Sequence, residues 1–450
     1  MKIKWILVTL LSLWVLACSQ IEVNHQYSIV RLDSGYQLQK DGEAYDLKGA
    51  GLSYDQGSNF AALAQAGGNT IRTWSTHNAD ALLEQAKQHN LMVLMGIDVQ
   101  KQLHGFDYND EQAVAAQFAR VKQQVLAYQN HPQILGWIVA NEPNLLFDEQ
   151  GGLAEVNPKV YMAISDIIDF IHEHDPNKLV TYSFAGAIES HIKTALKYTP
   201  QVDFVSVQVY GDLANIGPTM AAMELGKPFM VTEFGPLGHW EMPATSWGRE
   251  IEEPSGIKAQ TLAKRIQTGI TDDSSGNNIG HFAFLWGQKQ ERTPTWYGMF
   301  NADGQANARV DTMTHYWTGQ YPQNRAPQTL SIKINNQAAQ ASLKVQPEQA
   351  LTVEVLVKEP DNDGLDLLWE LLDEVVEKSD GGAFEQRPNN MPLAPTSIKV
   401  ASINHPLWGQ VQQINMQFTA PATAGEYRLF SYASDGKGKV GNANFPFKVN

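Results

Sequence analysis

Cysteine is almost absent, since Cys18 is the only one among 450 residues. No internal disulfide can form, so the fold must rest on the packing of its core. Long apolar runs are also missing. The stretch Trp5–Ala17 is apolar but shorter than the roughly 20 residues a bilayer-spanning helix needs. Basic side chains are in the minority, with 33 Lys and Arg against 48 Asp and Glu and a formal charge of −15. Phosphate backbones are bound by concentrated Lys and Arg, so no nucleic-acid partner is expected. No Gly-x-Gly-x-x-Gly turn follows the first predicted strand, which removes the dinucleotide-binding fingerprint. Hydrophobic residues at 43% and charged residues at 18% exclude a disordered chain.

What is present begins at the N-terminus. Lys2 and Lys4 precede the apolar stretch, and Cys18 follows it at once. This is the pattern of a signal peptide. Val15-Leu16-Ala17-Cys18 resembles a bacterial lipobox, which implies cleavage after residue 17 and lipidation of Cys18. The expectation is an exported bacterial lipoprotein, held at the periplasmic face or cell surface, whose membrane contact is that anchor alone.

Residues 18–45 read as an N-terminal segment and hairpin, with Tyr36–Leu47 alternating about Asp41-Gly42. From 46 to 320, short apolar runs alternate with amphipathic stretches. The runs predicted as strands are Asp46–Leu52, Asn69–Trp74, Leu91–Ile97, Leu135–Asn141, Leu179–Phe184, Asp203–Tyr210, Pro228–Glu233 and Gly280–Trp286. Most are continuously apolar, as parallel strands buried on both faces are. Eight such units predict an α/β protein, a (β/α)8 TIM barrel with the hairpin across its floor. Residues 321–327 are a Pro-rich, polar linker. Residues 328–450 carry seven short strand-like runs separated by turn residues, which predicts an immunoglobulin-like β-sandwich and a separable module.

In a barrel, chemistry belongs to the C-terminal ends of the strands. Strand two ends at Arg72 and Trp74, strand four runs into Asn141-Glu142, strand six ends at Tyr210, strand seven closes on Glu233 and strand eight on Trp286. Two carboxylates across one barrel mouth match glycoside hydrolysis, where one group must be protonated and the other ionised. Arg72 and Tyr210 are placed to hold Glu233 ionised, Asn141 to donate to a sugar hydroxyl, and Trp286 to offer a flat apolar face. The rival reading is a pair of salt-bridged structural carboxylates. Both motifs together with Arg72 and Trp286 favour catalysis, whereas core packing accounts for Trp74 and Tyr210 as well as substrate contact does.

These residues carry a resemblance. Asn-Glu closing strand four, a lone Glu closing strand seven and a Trp closing strand eight resemble the retaining β-glycosidase clan with (β/α)8 barrels. The hairpin-then-barrel opening is similar to the catalytic domain of glycoside hydrolase family 2. Asn69-Thr70-Ile71-Arg72 and the strand-six Tyr resemble β-1,3-glucanosyltransferases. The resemblance implies Glu142 as acid/base, Glu233 as nucleophile, and Arg72, Asn141, Tyr210 and Trp286 around the donor sugar. It implies a retaining hydrolase of a β-linked glucan, β-1,3-linked first, with a poly- or oligosaccharide substrate and no cofactor. The alternatives are a transglycosylase that remodels glucan, or a polysaccharide-binding lipoprotein without catalysis.

Two long loops follow strands seven and eight. Trp240, Trp247 and Trp296 in them are read as platforms for outer sugars or, equally, as anchors of an ordered loop, and Glu241 and Glu291 as fallback nucleophiles. No metal site is expected. His172 and His174 do not share a helix face, and Asp361-Asn362-Asp363-Gly364 departs from the EF-hand pattern and reads as a plain Asp/Asn/Gly turn, with a calcium site as the alternative.

Overall fold

The computed structural model of the protein describes residues 25–54, 59–379 and 382–450. The predicted signal peptide and Cys18 lie outside these residues. No helix among the described residues is long and apolar enough to cross a membrane.

Eight strands form the centre: β1 (Gly49–Gly51), β2 (Thr70–Arg72), β3 (Met92–Ile97), β4 (Ile134–Asn141), β5 (Leu179–Ala185), β6 (Val205–Gln208), β7 (Phe229–Phe234) and β8 (Asn278–Ala283). All neighbours pair in parallel, and β8 returns to β1 through Phe282–Gly49 and Ala283–Ala50, so the sheet is a closed barrel without edges. The strands are short and almost wholly buried, which is why they read in sequence as unbroken apolar runs.

Helices α1 (Phe60–Gln65), α2 (Ala79–Gln88), α3 (Glu111–Tyr128), α4 (Lys159–His174), α5 (Glu189–Tyr198), α6 (Ile216–Ala222), α7 (Ser255–Ile266) and α8 (Ala308–Thr318) follow the strands in turn. Their ends are written in the sequence. Asp110 caps α3 by accepting from the amides of Gln112 and Ala113, Asn307 caps α8 by accepting from Arg309, and Gly319 ends α8 in the left-handed region at φ 74°. In α4 the stripe Val160, Ile164, Ile167, Ile168 and Ile171 is buried, at the spacing of one helix face.

The N-terminal strands Tyr27–Leu32, Gly35–Lys40 and Glu43–Ala44 form an antiparallel sheet whose tight turn has φ 53° at Asp41 and 83° at Gly42. Two successive positive φ values are those of a type I′ turn, one of the two usual two-residue hairpin turns. Tyr27, Leu38 and Leu47 pack in one cluster with Leu94, Ile138, Phe204, Met230 and Phe282, and so plug the barrel floor.

The C-terminal part is two antiparallel-rich sheets. One contains Gln328–Ile334, Ala350–Lys358, Gly409–Thr419 and Ser397–His405 in that order. The other contains Lys344–Val345, Val440–Val449, Gly425–Ser434, Asp366–Asp373 and Asn390–Met391. Their inner faces share a core of Ile334, Val353, Val355, Met416, Phe418, Leu429, Phe445 and Phe447, which makes a β-sandwich.

The joint between barrel and sandwich differs from a flexible tether. Ala326, in the stretch read as a linker, is fully buried, and its amide donates to Asp311 at 2.6 Å. Lys439 pairs with Asp311 at 2.5 Å, Arg249 with Glu426 at 2.7 Å and Arg292 with Glu385 at 3.0 Å. Asn444 donates to the buried Glu252, which also receives Lys258 and Thr293. Ile251 of the barrel packs into the sandwich core. Buried polar partners and shared apolar contacts across a joint bind two units into one, and linker composition reveals none of them.

Candidate active site

The loops after the barrel strands surround a cleft of about 1310 Å³. Glu142, Glu233, Asn141, Tyr210 and Trp240 of the predicted residues line it. Arg72 lies just beneath, almost wholly buried.

Glu233, the penultimate residue of β7, is surrounded by donors. The Arg72 guanidinium bonds and pairs with its Oε1, the Trp74 indole N–H donates to Oε1 at 2.8 Å, and the Tyr210 hydroxyl donates to Oε2 at 3.0 Å. Burial pushes the Tyr210 phenol well above its ordinary range, so it remains a donor. A cation and two neutral donors around one carboxylate suit its anion. Trp74 reaches this place because the chain turns closely over β3. A Cβ at Gly96 would lie 2.5 Å from the Thr73 carbonyl oxygen, so a glycine is needed there.

Glu142 sits where β4 ends. Ala140 and Glu142 both hold left-handed backbone, φ 63° and 52°, so the strand bends sharply about Asn141. The Glu142 side chain is only 16% exposed, and Lys101 Nζ lies 3.6 Å from its Oε2. Burial raises its pKa, Lys101 opposes that, and the charge of Glu233 adds to the rise. The net direction is upward. The two glutamates therefore feel each other in one cleft and occupy contrasting surroundings.

Asn141 accepts through Oδ1 from Arg72 at 2.6 Å, Gln208 at 2.6 Å and Ser183 at 3.3 Å. Its oxygen is committed to the protein, which leaves the amide N–H groups as donors. Gln208 and Ser183 were not anticipated. The signal was available for Gln208, a polar residue inside the apolar run Asp203–Tyr210. Lys101 gives no such signal, because it lies four residues past the end of strand three.

Three predicted aromatics are placed elsewhere. Trp286 has no exposed surface. β8 ends at Ala283, and the Trp286 indole turns outward to pack on Phe300 and Trp317 and to donate to the Asn59 carbonyl. A buried ring has no face to give a sugar, and Phe284 and Leu285 line the cleft instead. Trp296 is also buried, with its N–H bonded to the Leu237 carbonyl. Trp247 does not line the cleft. Trp240 does and is 62% exposed, standing edge-on to Tyr210 at 5.4 Å.

Of the fallback carboxylates, Glu241 is spent on the backbone amides of Gly211 and Gly238. Glu291 lines the cleft and is paired with Lys289 at 2.5 Å. Among the described residues, Glu359, Asp361 and Asp363 are the one carboxylate cluster close enough to share a cation. Lys437 pairs with Asp363, and none of the three lines the cleft.

A closed parallel barrel with two unlike glutamates at its C-terminal mouth defines the clan of (β/α)8 glycoside hydrolases. Residues 43–318 match the family model described as glycosyl hydrolases family 2, TIM barrel domain, and the chain belongs to that family. No curated protein sequence matches it. Among solved structures, it resembles a β-glucuronidase from Ruminococcus gnavus in complex with C6-substituted uronic isofagomine, at 16% identity and a TM-score of 0.50. That match covers 65% of this chain and 52% of the other, so the chain spans about half the length of that protein. It also resembles a glucosidase from Croceicoccus marinus, at 12% identity and a TM-score of 0.44, over 90% and 96% of the two chains.

Proposed function

We propose that the protein is a retaining glycosidase of a β-linked glucan, β-1,3-linked first, with Glu142 as acid/base and Glu233 as nucleophile. The observation that carries the reading is the contrast between them: Glu233 held by Arg72, Trp74 and Tyr210, and Glu142 raised by burial in the same cleft. Glu142 gives its proton to the glycosidic oxygen while a Glu233 oxygen attacks the anomeric carbon, so one C–O bond forms as the other breaks. Glu142, now a carboxylate, takes a proton from water, which displaces Glu233 and releases the sugar with its configuration retained. Asn141 donates its amide N–H to the sugar 2-hydroxyl, and Trp240 offers the aromatic face. The chain is exported and anchored through Cys18.

Azide and an activated aryl β-glycoside test the roles. Glu142→Ala still forms the intermediate and yields the β-glycosyl azide, whereas Glu233→Ala yields the α-azide. Swapped anomers would reverse the assignment. A screen over β-1,3-, β-1,4-, β-1,6- and β-1,2-glucans, mannan and galactan tests the substrate. Activity on mannan or galactan alone would sink the glucan reading, and products longer than the substrate would make the enzyme a transglycosylase.

A further inference from the structure

Residues 374–379 and 382–389, between the sandwich strands Asp366–Asp373 and Asn390–Met391, reach the barrel loops after β7 and β8. Arg249 donates to the Val375 carbonyl at 2.7 Å, Lys378 pairs with Glu250 at 2.7 Å, and Arg292 donates to the Ser379 carbonyl at 2.7 Å. Glu385 is buried and accepts from the Arg292 amide at 2.6 Å, the Arg292 guanidinium at 3.0 Å and the Gln290 amide group at 3.1 Å. Arg292 itself holds a left-handed φ of 59°. Its backbone is therefore kept in that conformation by a carboxylate from the other sheet unit.

Between these anchors, Gly382 and Ala383 line the cleft, beside Lys289. The next residue, Phe384, is 89% exposed. A ring so exposed adds almost nothing to the core, yet it stands on a segment pinned by buried polar bonds and one residue from the cleft wall. A pyranose presents a face of C–H groups that packs on such a ring.

We propose that the sandwich supplies an outer sugar subsite of this cleft, with Ala383 as wall and Phe384 as platform, for a neutral oligosaccharide that extends past the Lys289–Glu291 pair. This rests on reading the cleft as a glycoside site. The sandwich is then part of the substrate-recognising surface, and it selects for chain length.

The test is calorimetric binding of β-1,3- and β-1,4-linked gluco-oligosaccharides, tri- to hexasaccharide, to a Glu233→Gln protein, alone and with Phe384→Ala or Ala383→Trp added. Affinity is expected to rise with length in the parent, and that gain should fall about five-fold in either variant. The same gain in all three proteins, or no binding of any oligomer, overturns the proposal. Cleavage by the wild-type chain reports separately on catalysis. Cleavage with an unchanged length gain refutes only the subsite, and a Phe384-dependent gain without cleavage refutes only the catalytic reading. Phe384 is too exposed for its removal to threaten folding, and a thermal melt of each variant checks this.

Discussion

Replacing Lys101 by methionine removes a cation 3.6 Å from the Glu142 carboxylate while keeping most of the side chain's volume. At that distance the attraction is about 1 kcal/mol in the dielectric of water and about 5 kcal/mol at the effective value of 20. Both side chains are mostly shielded, at 11% and 16% exposure, so the upper part of this range applies. Lys101 lowers the Glu142 pKa against burial, so its loss moves that pKa further up. An acid catalyst works while protonated, and the alkaline limb of kcat/KM must therefore move to higher pH. Each 1.4 kcal/mol or so of lost attraction moves it about one pH unit. The assay is a pH profile of kcat/KM on an aryl β-glycoside for both proteins, each normalised to its own maximum. Stability follows the same sign. A carboxyl raised on folding stabilises below its unfolded pKa and loses that contribution as pH rises through the folded value. The variant's melting temperature should thus fall more steeply than the wild type's above the ordinary glutamate range. A limb that stays put or moves down would refute both the contact and the acid role of Glu142.

Lys439→Met leaves buried Asp311 without its cation and should cost about 3–5 kcal/mol in denaturant unfolding at neutral pH. Burial already raises Asp311, so the loss should shrink as pH falls and the acid protonates; an equal loss at neutral and acid pH would show that it does not come from the ion pair. Trp296→Ala should lower stability by about 3–5 kcal/mol, as a buried aromatic does, whereas Trp240→Ala should raise KM for oligosaccharides with little change in melting. The opposite pattern would restore Trp296 as a sugar platform. Labelled palmitate should enter the full chain and be lost in Cys18→Ala, and equal labelling of both would end the anchoring proposal.

The apolar runs and the polar residues that close them were enough to reach a barrel and its two glutamates. Parallel strands buried on both faces have no choice but to be apolar, and a barrel gathers the C-terminal ends of all its strands at one mouth. Asn141-Glu142 and Glu233 were therefore legible as neighbours although 91 residues separate the two glutamates in number. The directions of side chains beyond the strands were not legible. Trp286 was expected at the mouth on the assumption that strand eight runs on to it, but β8 stops at Ala283 and the ring goes outward to Trp317. Trp296 sits in a loop but is buried in a cluster with Phe284, Leu285 and Tyr297, its N–H satisfied by the Leu237 carbonyl. Lys101, Gln208 and Ser183 acquire meaning only from what folds against them. The same holds for Gly382 and Ala383: the sequence places them only within a separate module, and the docking of Glu385 on Arg292 accompanies their place in the cleft wall. Periodicity reports which face of an element is buried; partners brought together by chain crossings and domain contacts depend on the whole tertiary arrangement.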